Sequence, residues 1–260
     1  MKRSFFEKLY KSYNKHEYIH PDPLEFVYNY TEPADREIAA LIASSLAYGR
    51  VAQILKSVSH VLWIMKPSPA AYLSDNSEKN IKIDFSGFRH RFTSGTDKAA
   101  FLIGIKRAIA KHGSLKKCFA KGYKSGDADF LPALALFVAE IARLAGVKKL
   151  ALLPSPENGS ACKRLNLFLR WMIRDDDVDT GCWKQLPPSK LIVPLDTHMH
   201  KIGLKLKLTK RRQANLRTAV EITKAFASVS PKDPVKYDFA LTRFGIRSDM
   251  KISDILGLDK

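Results

Sequence analysis

A chain of 260 residues with 45% hydrophobic residues is globular and long enough for one large domain or two modest lobes. Its 44 Lys and Arg against 26 Asp and Glu leave a formal charge of +18, which points to an anionic partner. Nucleic acid is the first candidate, because phosphate contacts release counterions, and a generically basic globular protein is the alternative. Three cysteines (Cys118, Cys162, Cys182), odd in number and without CxxC spacing, argue against a disulfide framework and a four-cysteine metal site. The start MKRSFFEKLY has no long apolar core, and no run of 18 apolar residues follows, so neither a secretory signal nor a membrane span is expected and a cytoplasmic setting is.

Helical periodicity dominates the chain. Phe5, Phe6, Leu9, Tyr10 and Tyr13 form an apolar stripe on a first helix. Thr31 and Pro33 open a second, lined by Ile38, Leu41, Ile42 and Leu46, with Gly49 of AYGR as its expected C-cap. Val51, Ile54, Leu55, Val58 and Leu62 mark a third, stopped by Pro67. Residues 67–95, rich in Pro, Ser, Asn and Gly, are expected to be loop. Helices follow at 97–111 and 128–145, the second strongly apolar. After the turn LLPSPENGS, Ser160 is placed to start ACKRLNLFLRWMIR. The stretch DDDVDTGCWKQLPPSK is expected to be a loop or short insertion. Three more helices are expected near 197–206, 211–227 and 233–244, giving an all-α fold.

Two residues carry the candidate chemistry. Asp196 follows the apolar approach IVPL and opens the segment THMHKI, where a carboxylate is held in place and partly desolvated. Structural capping alone would explain it, and the two roles are compatible. Lys163 lies in the first turn of its helix, where amide dipoles disfavour a cation and so favour a neutral, nucleophilic amine. A plain surface lysine is the alternative. His198 and His200, two apart on a helix, diverge, so no metal site is expected, and no cofactor either. Residues 198–212 also carry Lys201, Lys205, Lys207, Lys210, Arg211 and Arg212, either a solvated face or a phosphate clamp.

PLDTHMHKI resembles the aspartate motif of the helix-hairpin-helix DNA glycosylase (HhH-GPD) superfamily, in which that aspartate is catalytic and bifunctional members add an upstream lysine nucleophile. Lys163 precedes Asp196 by 33 residues (196 − 163), a long gap similar to that of the archaeal 8-oxoguanine glycosylases. The segments ADREIAALIASSLAYGR, GSACKRLNLFLRWMIR, PLDTHMHKI and DPVKYDFALTRFGI resemble, over most of the chain, an uncharacterised, mostly bacterial family of unknown function of the DUF2400 type.

The glycosylase resemblance implies two lobes, about 31–145 and about 150–250, the second holding the Lys163/Asp196 site and completed by the N-terminal helix. It implies a monomer that excises a damaged base, an oxidised purine being one candidate, from DNA, with RNA as the other possible nucleic acid. A flipped base would enter a pocket walled by Tyr48, Trp171 and Trp183. Arg50, Arg164, Arg170, His198, Lys201, Lys210 and Arg211 would contact nucleic acid. Where glycosylases carry a glycine-rich LPGVGxKTA hairpin, this chain has LPSPENGSACKR, with Gly159 alone, and the four-cysteine cluster loop is missing. A binding protein that keeps the scaffold without the reaction is therefore the competing expectation.

Overall fold

The computed structural model describes residues 3–259. It is almost wholly helical and forms two compact units, one of Asp22–Asn158 and the other of the residues up to Pro21 with those from Gly159 onward. No helix among the described residues is long and apolar enough to cross a membrane.

The Asp22–Asn158 unit is organised on helix α2 (Pro33–Ser45), whose residues from Glu37 to Ser45 are all buried. Around it stand a 3-10 segment (Pro23–Asn29) and helices α3 (Val51–Ile64), α4 (Pro69–Asp75) and α7 (Leu115–Ala120). Helix α6 (Gly95–His112) packs on α5 (Glu78–Asp84), α7 and the apolar α8 (Leu131–Leu144). Two acids of the ADRE segment are structural. The Asp35 carboxylate accepts from Ser68 Oγ (2.7 Å) and Ala70 N (2.8 Å), fixing the start of α4. Buried Glu37 accepts from the amides of Leu115 (2.8 Å) and Lys116 (3.1 Å), closing the orphan N–H groups at the start of α7.

Residues 67–95, expected to be loop, instead hold α4, α5 and a hairpin of β1 (Arg89–His90) and β2 (Thr93–Ser94). Both helices have seven residues, too few for a periodic apolar signal, and depend on side-chain caps from Ser68 and Ser77 and on the distant Asp35. Gly49 is not the cap of α2, which ends at Leu46. It lies beyond, at φ +101°, where an added Cβ would stand 2.8 Å from Arg91 Cδ. Nor does Ser160 begin the next helix; α9 (Lys163–Ile173) starts from Cys162, which sits in the left-handed region.

In the other unit, α1 (Arg3–Tyr13) packs on α12 (Asp238–Ile246), and Phe6 stacks on Tyr237 and meets Phe226 edge-on. Glu7 binds both Lys236 and the Tyr237 hydroxyl. Helix α10 (Thr197–Lys205) also packs on α12, and α11 (Leu216–Ala227) contributes Ala219, Ile222 and Phe226 to the core.

Lys98 of α6 is fully buried, its Nζ lies 5.0 Å from the Phe101 ring and 5.3 Å from that of Phe88, and it has no hydrogen-bond partner among the described residues. Burial drives its ammonium down to about 7. Between that value and the ordinary lysine range the unfolded chain binds the proton that the folded chain releases, so stability rises with pH there. Lys98→Met is expected to stabilise the protein by on the order of 4 kcal/mol at pH 6, a gain that fades towards pH 10. Urea unfolding across that range measures it.

Candidate functional site

Helix α9 positions one half of the site. Leu165, Phe168, Leu169 and Met172 anchor it in the core, leaving Lys163 at its first turn. The other half comes from the buried approach 191–195, where Val193 N donates to Thr223 Oγ1 (3.0 Å). This segment delivers Asp196 as the N-cap of α10. Its Oδ1 accepts from the amides of His198 (2.9 Å) and Met199 (2.8 Å), and its Oδ2 lies 3.5 Å from Lys163 Nζ. One carboxylate therefore divides its oxygens between a helix cap and an amine. Both side chains keep contact with solvent, 30% for Lys163 and 16% for Asp196, so a substrate can reach them.

Behind this pair α9 carries two buried arginines on the same face, since steps of seven and eleven residues are close to two and three whole turns. Arg170 binds Asp179 (3.2 Å) and Asp238, the first residue of α12. Arg174, the C-cap, binds Asp176 (2.7 Å), Asp179 and Asp233 (3.0 Å). Burial pushes the Asp238 carboxyl up to about 6, and the charge of Asp196 adds to the rise against the pull of Arg170. Burial likewise raises Asp179. Asp176, although burial works against it, is held low by Arg174 and by the amides of Asp179 and Val178.

The structure redistributes several expected roles. Arg170, expected on nucleic acid, is buried and spent on two aspartates, so it cannot reach a phosphate. Trp171 and Trp183, expected pocket walls, are core residues, Trp183 meeting Phe168 edge-on. Tyr48 is half-buried, with its hydroxyl on His90 O (3.1 Å) and Thr93 Oγ1 (2.6 Å). His198 is half-buried against Gly245, where an added Cβ would stand 2.5 Å from its Nδ1. That close approach explains the glycine. His200 donates from Nε2 to Arg211 O (2.8 Å). Arg211 is exposed but paired with Glu221 (2.6 Å). Arg50, Lys201 and Lys210 are exposed, and Arg164 is half-buried. Sequence reasoning missed Asp176 and Asp179, and Asp233, whose place before a proline suggests a helix start, instead binds Arg174. The signal for the first two was available as acids within a few residues of two arginines spaced four apart, whereas Asp233 lies 59 residues from Arg174. Among the described residues no three His, Cys, Asp or Glu side chains are grouped as a metal would require.

A family model described as "Protein of unknown function (DUF2400)" matches residues 22–247. The chain belongs to that family. The match takes in both Lys163 and Asp196, together with the carboxylates that surround Arg170 and Arg174. No curated protein and no solved structure matches the chain.

Removing Arg170 strands Asp238 in the interior and leaves Asp179 with Arg174 alone. Arg170→Met is expected to cost ~3–5 kcal/mol at neutral pH. The deficit shrinks as the pH falls and the stranded Asp238 carboxyl takes up a proton. Denaturant midpoints at pH 5 and 8 separate this from a loss of packing, which would be equal at both.

Proposed function

We propose that this protein is a DNA glycosylase with lyase activity, in which Lys163 is the amine nucleophile and Asp196 the catalytic carboxylate. The observation that carries the reading is the 3.5 Å approach of Lys163 Nζ to Asp196 Oδ2 at two solvent-touched helix starts. The resemblance of PLDTHMHKI to the helix-hairpin-helix glycosylase motif and the charge of +18 support it.

In this reading the neutral Lys163 amine attacks the anomeric carbon of a flipped nucleotide. The new C–N bond forms as the glycosidic C–N bond breaks, and the base departs with that bond's electron pair and is protonated. Attack requires the amine first to give up the proton that pairs it with Asp196, which the carboxylate can accept and pass to water. The ionised Asp196, its Oδ1 pinned by two amides, then stabilises the positive charge that develops on the sugar. Ring opening gives an iminium at Lys163, from which the 3′ strand can be eliminated. Exposed Lys201 and Lys210, in the same unit as the pair, supply phosphate contacts. The lesion class proposed first is an oxidised purine, and a cytoplasmic monomer needs no cofactor for this chemistry.

A second reading, a DNA- or RNA-binding protein without the reaction, is favoured by LPSPENGSACKR. There α9 starts from a left-handed Cys162 and not from a glycine-rich hairpin. One assay separates the two. With borohydride and duplexes carrying 8-oxoguanine, uracil or an abasic site, the wild type is expected to form a covalent adduct. Lys163→Ala should abolish that adduct. Asp196→Asn should slow its formation by roughly 100-fold or more while DNA binding persists. An adduct on none of the three substrates removes the lyase reading and leaves the binder.

A further inference from the structure

Within the Asp22–Asn158 unit, the β1–β2 hairpin presents Phe92 at its tip with 87% of its surface exposed. Its hairpin neighbours Arg89, Arg91 and Ser94 are exposed and polar, so Phe92 is a lone ring and not part of an apolar patch within the hairpin. The Arg91 guanidinium lies 5.5 Å from the Phe92 ring centre. Arg91 itself occupies the left-handed region (φ 52°), a conformation that costs a non-glycine residue free energy and is retained where the surroundings over-determine it.

Those surroundings are visible. A two-stranded hairpin is marginal alone, and this one is clamped at its root. His90 is fully buried. Its Nε2 donates to Tyr48 O (3.1 Å), a carbonyl that can only accept, and its Nδ1 is hydrogen-bonded with Ser57 Oγ (2.8 Å). Burial, with Lys98 and Arg91 nearby, holds the imidazole below its usual range. The Tyr48 hydroxyl donates to His90 O and receives Thr93 Oγ1, tying both strands to the AYGR turn. At Gly49 the Arg91 side chain crosses bare backbone, which brings Arg91 against the turn that carries exposed Arg50. A rigid base thus supports a tip whose exposed groups are one aromatic face and three guanidiniums.

The geometry points to this hairpin as a nucleic-acid contact in which Phe92 stacks on an unpaired base while Arg50, Arg89 and Arg91 hold the flanking phosphates. It rests on nucleic acid being the partner, as proposed above, but not on Lys163 or Asp196. Every base offers a π-face to an aromatic, and guanidiniums suit phosphate oxygens, so the arrangement selects unpaired over paired nucleotides without selecting sequence. A membrane surface or a protein groove would require a broader apolar area than one ring provides.

The test is fluorescence anisotropy with three DNA probes: a single strand of about 20 nucleotides, a duplex with a one-base bulge, and the fully paired duplex, as lengths suited to a few stacked bases. Phe92→Ala is expected to weaken binding to the first two by about tenfold and to leave the paired duplex within about twofold. Phe92→Trp should restore affinity, and its fluorescence should be quenched by the single strand. Equal binding of Phe92→Ala and wild type to the single strand overturns the inference. So does an equal loss on all three probes. If the wild type binds no nucleic acid, the proposed function falls with it. If it binds and is trapped through Lys163 while Phe92→Ala is silent, only the hairpin assignment falls.

Discussion

Arg170 and Arg174 are cations that the interior tolerates only because four carboxylates surround them. Those carboxylates come from three parts of the chain: the DDDVD stretch, the turn at Asp233, and the first residue of α12. Burying charges of one sign costs many kcal/mol unless each meets its opposite. The orientation of α9 is therefore fixed by ion pairing as well as by apolar packing. Lys163 stands on the same helix face, so the lattice that satisfies the arginines also aims the amine. The Lys163–Asp196 approach is one end of that lattice, the end left open to solvent.

Much of the helical pattern was legible because apolar residues recur at helical spacing over long stretches, as in α2, α6, α8 and α11. Elements of six or seven residues were not, because they exist through caps supplied from far along the chain. Asp35 for α4 and Glu37 for α7 are such caps, and nothing near residues 68 or 115 announces them. Asp196 was legible as an N-cap, and the structure gives one oxygen to that role and sets the other 3.5 Å from Lys163 Nζ. The misreading of Arg170, Trp171 and Trp183 has one cause. Residue type suggested a surface function, whereas α9 is buried from Leu165 to Ile173 and Trp183 packs on its Phe168.

The acids of this basic chain divide by task. Asp35, Glu37, Asp176, Asp179 and Asp238 are consumed by amides and guanidiniums in the interior. Asp196 is held by amides on one side only. A carboxylate with one committed oxygen is stiff yet still able to act, and contact with solvent sets Asp196 apart from buried Asp238, whose Oδ1 also lacks a hydrogen-bond partner among the described residues.

The ladder on α9 also constrains what evolution can do to this helix. The cations of this face stand at steps of seven and four residues, so one residue inserted between Lys163 and Arg170 would swing the amine about 100° around the axis. The arginines would stay locked to their acids, and the lysine would face another direction entirely. Length changes in that helix are thus closed to drift, and variation must be absorbed in the loops on either side.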